Sequence, residues 1–100
     1  MNQPYKVKIS KDTTTDKKMV AVFYNKDDKK IKTIRFGADG FSDFTKHKDE
    51  ERKQRYIDRH QKNENWSNPM TAGTLSRYVL WNKPTLTASI KDYKKRFNLK

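Results

Sequence analysis

His47 and His60 are the only histidines in the chain, and with Asp43, Glu50, Glu51 or Glu64 they are the residues that could hold a metal ion or pass a proton. Their spacing suits neither task. If one continuous helix carries both, thirteen positions at 1.5 Å rise set the imidazoles about 20 Å apart, too far to share an ion. Ser42, Ser76 and Ser89 fall in no motif that pairs a hydroxyl with a histidine. Gly37-Ala38-Asp39-Gly40 precedes a helical segment but lacks the GxGxxG spacing and the Lys-Ser/Thr pair of phosphate-binding loops, so it reads as a turn. With no cysteine, a disulfide, a thiolate zinc site and a thiol nucleophile are excluded. The expectation is a protein that is no enzyme and uses no cofactor and no metal.

The remaining chemistry is charge. Lys and Arg number 24 against 12 Asp and Glu, and a net +12 on 100 residues repels itself unless an acidic partner lies close by. Three of the six arginines fall between positions 52 and 59, where Arg52, Tyr56, Arg59 and His60 share one helical face. A guanidinium is a planar fork that fits phosphate or carboxylate. The same arginines could instead lie over the sheet and pair with Asp39 or Glu64. Other charges of that helix can pair locally, as Asp49 with Lys53, Glu51 with Arg55 and Asp58 with Lys62. Beyond position 62 seven cations face only Glu64 and Asp92. There Lys91, Lys94 and Lys95 flank an apolar stripe of Leu86, Ile90, Tyr93 and Phe97, which makes a basic amphipathic helix. The expected contacts to nucleic-acid phosphates are Lys6, Lys8, Arg52, Arg59, His60, Lys91, Lys94 and Lys95. Residues 71–97 have the outline of a helix-turn-helix, but Tyr93 and Phe97 belong to the buried stripe and leave only lysines outside, so phosphate contact is expected over base reading.

These side chains need a scaffold, and the hydrophobic pattern predicts a single α+β domain over residues 1–100. Tyr5, Val7 and Ile9 alternate with lysines, Met19 to Tyr24 is apolar on both faces, and Ile31 to Phe36 follows a turn at Asn25-Lys26-Asp27-Asp28. A three-stranded antiparallel sheet at about 5–10, 18–24 and 30–36 results, followed by three helices at about 43–61, 72–82 and 85–97. Ser42 or Thr45 is the expected cap of the first helix. Phe44, Tyr56 and Ile57 should anchor it, and Trp66 should pin the loop after it. Leu, Ile, Val and Phe make up only 18 of 100 residues, a composition that favours disorder, yet the aromatic residues and regular periodicity argue for a folded chain. No apolar run approaches the roughly 20 residues of a membrane span, and no signal-peptide core follows Met1-Asn2-Gln3-Pro4, so a soluble protein is expected.

Lys17-Lys18-Met19, Phe36-Gly37, the run from Ser42 to Asp49, Arg52 to Ile57, Arg59-His60, Glu64-Asn65-Trp66, Thr71 to Tyr78 and Leu80-Trp81 form a pattern that covers nearly the whole chain. That pattern resembles an uncharacterised family of small basic proteins from nucleocytoplasmic large DNA viruses, the giant viruses of algae and amoebae. The resemblance implies a viral source, presence in the virion and infected host cell, and a compact domain able to self-associate. It carries no catalytic residues. Within the pattern, Asp43, Thr45, His47, Arg55, Arg59, His60, Glu64, Asn65 and Trp66 could form a buried hydrogen-bonded network locking the 62–70 loop to the middle helix, or a recognition surface anchored by Trp66.

The leading expectation is a virion-associated protein that binds DNA or another polyanion without sequence specificity. The alternative is a minor capsid, scaffold or host-interaction module working through protein contacts. A homodimer through an edge strand, at 5–10 or 31–36, fits either.

Overall fold

The computed structural model describes residues 4–38 and 43–100. Strands β1 (Lys6–Lys11), β2 (Lys17–Tyr24) and β3 (Lys30–Ala38) form an antiparallel sheet in the order β1-β2-β3. Val7 pairs with Phe23, Ile9 with Ala21, and Met19 with Phe36, so the alternating apolar residues of the three strands share one face. Val7, Met19, Ala21, Phe23 and Phe36 are buried there. The opposite face carries Lys6, Lys8, Val20, Val22 and Arg35.

Short polar side chains close both hairpins. Asp12 accepts hydrogen bonds from Thr14 and Thr15 and an ion pair from Arg35 on β3. In the expected turn, Asn25 Oδ1 accepts from the Asp27 and Lys29 amides and Asp28 is left-handed at φ 63°. At its far end β3 runs two residues beyond Phe36. Of the turn expected at 37–40, Asp39 and Gly40 lie outside the described residues.

The long helix expected at 43–61 is two helices, α1 (Phe44–His47) and α2 (Glu50–Gln61), broken at Lys48, which is left-handed at φ 55°. Two aspartates cause the break. Asp43 accepts from the Thr45 amide, and Asp49 accepts from the amides of Glu51 and Arg52, so each starts its own helix. Thr45 therefore donates to a cap and is not itself one, while Ser42 lies outside the described residues. Asp49, engaged as a cap, does not reach Lys53, whose ammonium sits 4.9 Å from the Phe44 ring centroid. Among the described residues none of the three pairs expected along α2 closes as an ion pair, and Asp58 accepts from Gln54 instead.

The second expected helix, 72–82, is a single α-turn, α3 (Ala72–Leu75), that widens into a π-turn over Ser76–Leu80. Leu75, Val79 and Leu80 are all buried, at offsets of four and five. An α-helix cannot aim all of them the same way, whereas the wider turn, closed by Trp81 N donating to Ser76 O at 3.0 Å, does. Asn82 then bonds Tyr78 O and Asp92, and Thr85 caps α4 (Leu86–Arg96) through the Ala88 amide. On α4 Tyr93 is fully buried, and Leu86, Ile90 and Phe97 pack against the core as the stripe predicts. Tyr93 Oη donates to Pro69 O at 2.6 Å, so α4 pins the loop before α3, while the Trp66 indole expected to do so bonds Glu64 of the same loop and lies under the Arg77 guanidinium.

Beyond α4, Leu99 enters the core and Lys100 lies along the start of β1, accepting from Val7 N and donating to Tyr5 O. Part of the β1 edge is thus occupied by the chain itself; among the described residues β3 pairs only with β2. No helix among the described residues is long and apolar enough to cross a membrane.

Candidate nucleic-acid interface

The residues of α2 that share a face, Arg52, Tyr56, Arg59 and His60, all line one cleft of about 560 Å³. Its other walls come from the start of β2, the end of β3, α3 and the π-turn with Trp81 after it. Tyr56 anchors α2 to this frame. It is buried and lies flat on Trp81, ring centroids 4.5 Å apart and planes 5° from parallel. Trp81 reaches that position because it follows the π-turn directly, and its carbonyl is held by the Arg77 guanidinium at 2.8 Å. Burial lowers the pKa of Arg77, whose guanidinium also lies 5.5 Å from the Trp66 ring.

Further rings touch this stacked pair at an angle. His60 lies 4.3 Å from Tyr56 with the planes tilted by 30°, and His47 lies 5.3 Å from Trp81 with the planes tilted by 53°. His47 Nδ1 accepts from the Asp49 amide at 2.9 Å, which leaves the proton of a neutral ring on Nε2. The two histidines, on different helices, are thus joined through Trp81 and Tyr56 by successive ring contacts. Among the described residues no group of three or more His, Asp or Glu gathers in metal-ligand fashion. Burial, with Glu64 nearby, pushes the Tyr56 hydroxyl up to about 12, so it stays neutral.

Among the described residues the cleft is lined by Lys17, Lys18, Arg35, Arg52 and Arg59 against two acids, Asp43 and Glu64. Both acids are engaged. Asp43, almost wholly buried, takes the Lys18 ammonium at 2.7 Å. Glu64 accepts from Trp66 Nε1 at 2.8 Å and lies 3.6 Å from His60 Nδ1, folded over Gly73, where a side chain would occupy its place. Arg35 is spent on Asp12. The guanidinium groups of Arg52 and Arg59 are exposed, and among the described residues no acid pairs with either; Asp39, one partner considered for them, lies outside those residues. A hollow of about 320 Å³ adjoins the cleft and shares Lys17, Lys18 and Asp43 with it.

The eight expected contacts thus sort into three places. Arg52, Arg59 and His60 meet at the cleft. Lys6 and Lys8 stand on the open face of the sheet, 5.0 and 5.8 Å from the Tyr24 ring, and Lys6 is also paired with Asp28. Lys91 and Lys95 are exposed and Lys94 half-buried on the outer side of α4, and none of these three lines the cleft. The polar block at 43–66 is divided as well: Asp43, Thr45, Glu64 and Trp66 are bonded inward, while Arg55 and Arg59 stay exposed. Lys17, Arg35 and Trp81 were not among the expected site residues. They come from other elements, and no spacing along the chain joins them to α2.

Residues 7–60 match a family described as a family of unknown function (DUF5754). The match runs from β1 into α2 and includes Lys8, Arg52, Arg59 and His60, while Trp81 and α4 lie beyond it. No curated protein and no solved structure matches the chain.

Proposed function

The chain belongs to that family of unknown function, and we propose that it is a non-enzymatic protein that binds nucleic-acid phosphates, chiefly without sequence specificity. The observation that carries the reading is the pair Arg52 and Arg59, two exposed arginines without a protein counter-ion among the described residues, on a cleft that also holds Lys17 and the ion-paired Lys18 and Arg35. A fork-shaped donor left unpaired next to other positive charge is a poor device for stability and a good one for phosphate. The lysines of the open sheet face and of α4 add long-range attraction on a chain of net charge +12. With the viral source that the resemblance implies, the polyanion would be packaged or replicating viral DNA, and the protein a virion component that neutralises it. The test is fluorescence anisotropy of labelled DNA at several salt concentrations with two unrelated sequences. Affinity that falls steeply with salt and ignores sequence supports the reading; association insensitive to salt, or none at physiological salt, refutes it.

A second reading, a protein-contact module of a capsid or host complex, draws on Val20 and Val22, which stay partly exposed on the sheet face opposite the core. The Arg52→Ala/Arg59→Ala double variant should leave such contacts intact while weakening DNA binding, and Val22→Asn, which adds no charge beside Lys8, should do the reverse.

A further inference from the structure

Phosphate binding accounts for the arginines of the cleft but not for its rings. Phe44, His47, Trp81, Tyr56 and His60 follow one another at centroid separations of 6.2, 5.3, 4.5 and 4.3 Å, with Tyr56 and Trp81 stacked face to face. The column is closed at its inner end, where Phe44 is 2% exposed. At its outer end the His60 side chain keeps 40% of its surface, and among the described residues only Tyr56 makes a ring contact with it. The series of ring contacts thus ends on a partly exposed imidazole that lines the cleft beside Arg52 and Arg59.

We propose that the cleft selects unpaired nucleic-acid strands: a nucleobase extends the column by stacking on His60, and phosphates of the same strand sit on Arg59 and Arg52. The proposal rests on the phosphate-binding reading above. Its geometry asks for a strand, since Arg52 and His60 are eight residues apart on α2, about 12 Å along the axis, farther than one phosphate group reaches. It asks for an unpaired strand because a base inside a duplex already has both faces covered by its neighbours, whereas an unstacked base can lie on an aromatic ring. A cleft of about 560 Å³ has room for the stacked nucleotide, and the phosphate on Arg52 belongs to a neighbouring nucleotide of the same strand. Stacking tolerates any base, which agrees with binding that ignores sequence.

The experiment compares four labelled probes of equal length at one salt concentration: single-stranded DNA, the same strand as a duplex, an abasic strand with the same phosphates, and single-stranded DNA challenged with free mononucleotide. The single strand should bind about tenfold more tightly than the abasic strand, the size of one base–aromatic stack, and mononucleotide should compete poorly. His60→Ala should erase the difference and His60→Phe, which keeps a ring, should retain it. Should His60→Ala fail to fold, the wild-type comparison of intact and abasic strands decides alone. Equal affinity for intact, abasic and duplex probes would overturn this proposal while leaving the phosphate reading standing; binding to none of them would overturn both.

Discussion

Tyr56 and Trp81 lie face to face 4.5 Å apart, and this contact joins α2 to the end of the π-turn across the cleft. It fixes the distance between the arginine-bearing face of α2 and the rest of the molecule. Trp81→Ala should therefore destabilise the fold by about 2–4 kcal/mol, somewhat under the loss for a fully buried aromatic because Trp81 keeps some exposure. A double-mutant cycle with Tyr56→Ala should return a coupling of about 0.5–1.5 kcal/mol, measured by urea unfolding. Additive single losses would mean that the two rings are neighbours without interaction.

Asp43 caps α1 and holds the Lys18 ammonium in a nearly buried pair, so its removal costs both functions at once. Asp43→Ala should destabilise by about 3 kcal/mol or more. Asp43→Asn retains an acceptor for the Thr45 amide and should lose less. Equal losses in the two variants would show that the cap contributes nothing.

Gly37 has φ +82° at the point where β3 passes Leu80, and a Cβ there would stand 2.7 Å from Leu80 Cδ1 and 3.1 Å from Lys18 Cβ. Gly37→Ala meets backbone strain and a steric clash together, and should cost about 1–3 kcal/mol in chemical unfolding. Gly73→Ala differs in kind. The group in the way is the flexible Glu64 carboxylate, so that side chain should swing out and release the Trp66 indole at little net cost. A red-shifted tryptophan emission with nearly unchanged stability is the expected result.

Hydrogen bonds from Thr15 and Thr14, with the Arg35 charge, hold the Asp12 carboxyl down at about 2. A depressed carboxylate contributes stability above its unfolded value near 3.8 and loses it as pH falls toward 2. Burial raises Tyr56 to about 12, so its contribution is complete below the ordinary tyrosine value of 10 and fades as pH climbs from 10 to 12. Stability measured against pH should fall on both sides of that range. Asp12→Asn should flatten the acid limb between about pH 4 and 2; an unchanged limb would assign it to other carboxylates.

The sheet was readable because Val7 and Ile9, then Met19, Ala21 and Phe23, repeat every second residue, and α4 because Leu86, Ile90, Tyr93 and Phe97 repeat at helical offsets. The break at Lys48 was not, since neither glycine nor proline marks it. Its cause is a competition between two aspartate caps six residues apart, each of which looks like a surface charge until the backbone turns around it. The π-turn was hidden for another reason: whether Leu80 joins Leu75 on the core side depends on the space left by the sheet, a tertiary condition. The same division holds at the cleft. Arg52, Tyr56, Arg59 and His60 lie on one helix and their common face follows from spacing, while Trp81, Lys17 and Arg35 arrive from elements whose placement no local pattern encodes.

Charge reversal of Lys94 and Lys95 to Glu on the outer side of α4 should weaken binding to DNA of any sequence and leave the fold intact, with the melting temperature slightly lowered because both stand in the last turn, where an anion opposes the helix dipole. Loss of folding would assign these lysines a structural role.

Phosphate binding at the cleft rests on Arg52 and Arg59, and the slope of log affinity against log salt tests that assignment most directly. Single-stranded DNA titrated with wild type and with the Arg52→Ala/Arg59→Ala double variant should give slopes that differ by about 1.4, or about 0.7 for each guanidinium taken away from the phosphates of a single strand. Both proteins should unfold at nearly the same urea concentration. Identical slopes would contradict the assignment and move phosphate binding away from the cleft.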